Sequence, residues 1–217
     1  MKSSTPSPSV LASLRAVIPQ RHLNFLEALR IAELQAAKLS HLISDERGIL
    51  EHHIAGLPRI TVVHEDLPVS GMSYWNGQEW VIALAGGDST ARQRFTLLHE
   101  FKHIIDHGSV ARLYSDDKVR TVNQQAETAA DYFAGCALVS KQSLKSAWGS
   151  GIQKVTDLAA HFGVSEPAIR VRLAQTGLDV DIDRVPAARC ARPITSARRG
   201  PQRFRTVQPP YARGTFA

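Results

Sequence analysis

Cysteine is scarce. The 217 residues hold only Cys136 and Cys190, far apart and in no CxxC pair. They suggest no disulfide framework, and a reducing compartment is the expectation. Long apolar runs are missing as well: none reaches the roughly 18 residues of a membrane span. Residues 1–20, Ser/Pro-rich with Lys2 and Arg15 as the basic positions, lack the apolar core and small-residue cleavage site of a secretory signal. A cytoplasmic protein with no membrane partner is expected. Acidic residues are lacking in one place. Residues 184–217 carry eight arginines and no Asp or Glu. Without those eight, the 26 basic residues fall to 18 against 20 acidic ones, so the net charge of +6 divides into about −2 for the body and about +8 for the tail. Such a tail is expected to be a solvated, disordered segment. It can also be an arm for nucleic acid or an acidic partner, because dense arginine releases counterions from phosphate.

What is present is an ordinary globular composition, 43% hydrophobic and 21% charged. Residues 23–43 read as an amphipathic helix with Leu26, Leu29, Ile31, Leu34, Leu39 and Leu42 as its apolar positions. After Leu57-Pro58, the β-branched run at 60–63 is strand-like. Residues 73–75 and 79–84 flank Asn76-Gly77, a dipeptide suited to a tight hairpin turn. A break at 85–89 leads to a helix over 90–106, with Asp88 or Ser89 as its cap. A loop over 108–123, a helix over 124–139, a further helical region after Lys141 and a helix-turn-helix over 155–176 complete the pattern. There is no internal repeat, and no core is expected beyond Asp179.

The helix over 90–106 contains His99-Glu100-Phe101-Lys102-His103, an HExxH pattern. Positions i and i+4 of a helix lie on one face, so both imidazoles can meet one cation. Glu100, on the adjacent edge, can take a proton from water held there. Apolar Phe95, Leu98, Phe101, Ile104 and Ile105 fit a helix passing through a core. The competing reading is two surface histidines on an amphipathic helix. A metal also needs a third protein ligand, and the unclustered cysteines do not offer one. The longer metzincin pattern requires Gly and His where Asp106 and Ser109 stand, so that class is excluded. Downstream, Glu127 and Asp131 form a second i,i+4 pair on a helix rich in alanine. One carboxylate can ligate; the other can accept the free ring N–H of a histidine. Two His, one carboxylate and an open position are the pattern of a catalytic zinc site, suited to amide hydrolysis. His107 continues the histidine stripe and is read as a helix-end residue. Tyr114 and Tyr132 are conceivable oxyanion donors, and residues 80–84 a strand on which an extended peptide could pair.

Residues from about 23 to 140 resemble the ImmA/IrrE family of metallo-endopeptidases. The resemblance rests on Ser70-Gly71, Trp80-Val81-Ile82, the run from Arg92-Gln93-Arg94 to His103, and Glu127-x-x-Ala130-Asp131-x-Phe133-Ala134. Where many members close the second motif with Met-Pro, this chain has Cys136-Ala137-Leu138-Val139-Ser140. The resemblance implies a zincin-like α+β fold, Zn2+ held by His99, His103 and Glu127, and Glu100 as catalytic base. It also implies a setting in stress circuits or mobile genetic elements, with a helix-turn-helix repressor as protein substrate. The expected organisation is a flexible N-terminus over 1–20, a metallopeptidase domain over 21–150, a helix-turn-helix-like segment over 151–178 and a disordered Arg-rich tail over 179–217.

The segment 155–173 places Ala159, Gly163 and Ile169 at the small, turn and apolar positions of a DNA-binding helix-turn-helix, with Ser165 capping the second helix. Arg170 and Arg172 are expected on or near its outer face, as possible nucleic-acid contacts together with the tail. The competing reading is a structural lid on the peptidase. Two functions are therefore carried forward: a zinc endopeptidase acting on a repressor or antitoxin, and a DNA- or protein-binding regulator that keeps the fold without efficient proteolysis. An exopeptidase lacks any visible terminus-binding feature.

Overall fold

The computed structural model describes residues 9–43, 48–117 and 119–178. The expectations for residues 1–8 and for the Arg-rich tail lie outside these residues. Within 1–20, read as flexible or weakly helical, Val10–Arg15 forms a helix, α1, capped by Ser9, and both Leu14 and Ile18 are buried. Apolar residues at that spacing have a core to enter, which the Ser/Pro-rich composition hides.

Helix α2, Phe25–Ile43, opens on a reciprocal cap: Glu27 N–H donates to Asn24 Oδ1 at 2.9 Å, and Asn24 N–H donates to Glu27 Oε2 at 3.0 Å. Its buried stripe is Ala28, Ile31, Ala32, Gln35, Ala36 and Leu39. Leu26, Leu34 and Leu42, expected on the apolar face, are exposed. The reason is the partner. α2 packs on helix α6, Val122–Leu138, which buries Ala129, Ala130, Ala134 and Ala137. Small residues on both sides let the two helices approach closely, and bulkier leucines turn away.

Helix α3, Glu51–Ala55, precedes a three-stranded sheet of β1, Ile60–Glu65, β2, Gly71–Trp75, and β3, Trp80–Ala85. The order is β1-β3-β2, with β1 parallel and β2 antiparallel to β3. The β2–β3 turn uses Asn76 Oδ1 to accept from the N–H groups of Gln78 and Glu79, both at 2.9 Å, and Gly77 takes φ +101°. β3 is thus the central strand, buried from Val81 to Ala85. An incoming peptide cannot pair with residues 80–84, because both edges are taken; β1 and β2 are the edge strands.

Helix α4, Thr90–Asp106, packs across β2 and β3 and against α6. The short α5, Val110–Leu113, interrupts the expected loop. α7, Lys141–Gly149, α8, Val155–Phe162, and α9, Glu166–Thr176, follow. α8 ends at Gly163, φ +61°, and Ser165 caps α9, so two helices are joined by a short turn. Its apolar residues Val155, Leu158, Ile169 and Leu173 join the same core as Leu97, Phe101 and Phe133. Position 150 does not separate two cores. Arg94 of α4 ties the segments further, donating to the carbonyls of Phe162 at 3.3 Å and Gly163 at 3.0 Å. The architecture is mixed α+β, and no helix among the described residues is long and apolar enough to cross a membrane.

Candidate metal centre

Ser89 starts α4 by accepting the Arg92 N–H at 3.3 Å. The helix then buries Leu97, Leu98, Phe101, Ile104 and Ile105, which turns His99, Glu100 and His103 toward a cleft. Two contacts hold its far end. Arg15 of α1 donates to the otherwise unpaired carbonyls of Ile104, at 2.7 Å, and Ile105, at 3.2 Å. Beneath the histidines, Lys102 and Asp106 pair at 2.5 Å, and the Tyr114 hydroxyl donates to the other Asp106 oxygen at 2.5 Å. All three side chains are buried. With both Asp106 oxygens satisfied, the buried charges are partnered, and removing either partner would leave an uncompensated group in the interior.

The alanine-lined contact between α4 and α6 brings Glu127 over the two histidines. His99 Nε2 lies 3.1 Å from His103 Nε2 and 3.2 Å from Glu127 Oε2, and His103 Nε2 lies 3.4 Å from Glu127 Oε1. Two imidazole nitrogens this close need a proton or a cation between them. A tetrahedral zinc with bonds of about 2.0–2.1 Å spaces its ligand atoms by about 3.3 Å. The observed separations match that spacing, and the N,N,O donor set suits zinc. Asp131 Oδ1 sits 2.8 Å from His99 Nδ1, so the ring N–H is spent there and Nε2 points its lone pair into the cluster. Burial works against charge on His99, but the Asp131 hydrogen bond and the carboxylates of Asp131, Glu100 and Glu127 outweigh it and raise its pKa. Burial and the neighbouring His99 lower that of His103.

Glu100 is held from the sheet. Ser73 Oγ of β2 donates to Glu100 Oε2 at 2.8 Å, leaving Oε1 free of that bond. The close approach of β2 to α4 depends on Gly71: a Cβ there would stand 2.5 Å from Thr96 Cγ2 and 2.9 Å from the Ala83 carbonyl. Ser73 and Arg15 were missed in the sequence. Gly71 and Ser73 share a face of β2, and a glycine inside a strand signals close backbone approach, which could have pointed to Ser73. Arg15 has no comparable signal.

Other expected residues lie elsewhere. Arg172 is a correction: it is buried, donating to the Val139 carbonyl at 3.0 Å and to Gln175 Oε1 at 2.7 Å. The expected position on or near the outer face is what the structure overturns: the face of α9 that carries Arg172 packs on α6. Arg170 stays exposed, 3.8 Å from Glu166. The His107 ring meets Trp80 edge-on at 4.8 Å, outside the cluster. Tyr114 spends its hydroxyl on buried Asp106 and is not an oxyanion donor. Tyr132 reaches Glu33 at 3.4 Å, and burial pushes its pKa up to about 12.

No curated protein matches the chain. Among solved structures, a Mycobacterium tuberculosis transcriptional regulator is similar, with a TM-score of 0.48 and 18% identity over 77% of this chain. The chain spans about half of that structure, 52% of its length. Residues 58–174, which carry β1 to β3, both helices of the cluster and most of α9, match peptidase M78, the IrrE N-terminal-like domain. That match covers more than half of the 217 residues, and the chain therefore belongs to the peptidase M78 family of IrrE N-terminal-like domains.

Proposed function

We propose that this protein is a zinc-dependent endopeptidase with a zincin-like site, and that it cleaves a protein regulator of transcription. The observation that carries the reading is the convergence of His99, His103 and Glu127 at zinc-ligand spacing, with Glu100 on the next helix position. When bound there, zinc supplies a Lewis acid that polarises a carbonyl and brings the pKa of water towards about 7. The chain's own groups do the rest. Glu100 takes the proton from the attacking water and delivers it to the departing amine. Ser73 keeps the Glu100 carboxylate turned to the cleft. Asp131 fixes the His99 tautomer. An extended substrate pairs with the open edge of β2, the strand that also bears Ser73. A helix-turn-helix repressor or antitoxin is the substrate class that the ImmA/IrrE resemblance suggests.

The test is Glu100→Gln in zinc-loaded protein incubated with repressors encoded beside its gene. Zinc content is expected to stay near that of the parent while cleavage falls by at least about 100-fold. Cleavage that persists at the parent rate would sink the assignment of Glu100. If the parent cleaves none of them but binds one tightly, the site serves recognition.

A further inference from the structure

The cleft at the metal cluster does not end at Asp131. It adjoins a cavity of about 560 Å³ between α4, α6 and α9, within the range of sites that take side chains or small ligands, roughly 300–1,000 Å³. Arg92, Phe95 and Asp131 line both spaces. Beyond them the walls are mostly apolar: Tyr132 and Leu138 from α6, Ala168 and Val171 from α9. Arg172 also lines this cavity; its Nε donates to the Val139 carbonyl, its Nη1 donates to Gln175 Oε1, and its guanidinium lies 5.8 Å from the Tyr132 ring centroid. Val171 is the telling residue. Its α9 neighbours Ile169 and Leu173 are buried in the core, whereas Val171 is 54% exposed and faces the cavity.

Resting on the peptidase reading, we infer that this cavity is the specificity pocket, taking large apolar side chains of the substrate polypeptide next to the scissile bond, with α9 as its outer wall. Continuity with the cleft identifies the occupant. Asp131 touches His99 and lines the cavity, so a chain whose carbonyl lies at the metal cluster has its neighbouring residues at the cavity mouth. Successive side chains of an extended chain point to opposite sides at about 3.3 Å per residue, so one or two from each stretch reach inward. An apolar lining selects Leu, Phe or Met over charged residues, since an unpaired charge there loses its water. The helix-turn-helix path thereby serves the peptidase: its second helix shapes the substrate site.

The experiment uses full-length, zinc-loaded protein and a positional library of fluorogenic peptides built on any cleaved sequence, with Leu, Phe, Ala, Asp or Lys at each position flanking the bond. Cleavage is read as kcat/KM; binding is read by anisotropy with the Glu100→Gln variant. One flanking position is expected to prefer Leu or Phe to Ala by at least about tenfold. Val171→Asp, at an exposed position, and Ala168→Trp, which fills the space, are expected to erase that preference. The loss is expected to fall on the Leu and Phe peptides more than on the Ala ones, and zinc content should be unchanged. Cleavage with no apolar preference, or a preference both variants leave intact, overturns the pocket while the peptidase stands. Apolar-selective binding without cleavage overturns the peptidase reading and keeps the pocket. An equal gain on all peptides after removal of residues 179–217 makes the chain's own tail the occupant and overturns the proposal, as does loss of the effect on dilution, which would indicate a second copy.

Discussion

His99 and His103 were legible from their spacing alone, because an i,i+4 pair on any helix shares a face. The groups behind them were legible unevenly. Asp131 follows from a second i,i+4 pair, and the structure sets it 2.8 Å from His99 Nδ1. Replacing it with Asn keeps the shape but removes the charge that supports the ring N–H. Zinc affinity is expected to fall about 10- to 100-fold, measured by competition with a chromogenic chelator. An unchanged affinity would leave Asp131 without a role in holding the metal. Ser73 was legible only indirectly, through Gly71, since a serine in a strand has no fixed partner until the fold sets it beside a helix. Ser73→Ala removes the donor to Glu100. A drop of about tenfold in kcat at constant zinc content is expected, with KM for a peptide substrate moving less. A change confined to KM would assign Ser73 to substrate binding instead.

At the scale of elements, caps made the boundaries readable. Ser89 starts α4 where a small polar residue precedes a periodic run, and the helix spans Thr90–Asp106 as expected. Faces were harder. In α2 the sequence offers leucine and alanine at competing positions, and hydropathy favours leucine. The alanines win because α6 presents alanines in return, a fact about the partner that α2 does not contain. The same element carries a pH-sensitive cap. The Arg21 side-chain hydrogen bond, then the Asn24 backbone N–H, hold Glu27 at about 2, below its ordinary 4.5. A depressed carboxylate contributes stability above the unfolded value and loses it as pH falls through the folded one. The melting temperature is therefore expected to decline between about pH 4.5 and 2, and Glu27→Gln should flatten part of that decline. A parallel pair of melting curves would show that the cap contributes nothing.

Over the whole molecule, the helix-turn-helix pattern identified a pair of helices but not their allegiance. Turn chemistry at Gly163 and Ser165 is local; the choice between a DNA groove and α6 as the neighbour of α9 is not. Arg172 shows the consequence, since an arginine drawn as a DNA contact closes the Val139 carbonyl in the interior. Arg172→Ala leaves that carbonyl without its partner, and a loss of about 1–3 kcal/mol in urea unfolding is expected. Unchanged stability together with weakened DNA retention in a gel shift would restore the DNA reading for α9.

The clamp of Arg15 on the end of α4 bears on where a minimal working piece of this protein begins. The stretch that defines the family starts at residue 58. Yet the guanidinium that closes Ile104 and Ile105, and the alanine stripe of α2 that covers α6, come from earlier in the chain. A fragment trimmed to the diagnostic region would keep His99, His103 and Glu127 while losing the brace on one helix of the candidate site and the cover over the other. Recognition by sequence and autonomy in folding are thus expected to have different borders here, the second being the wider.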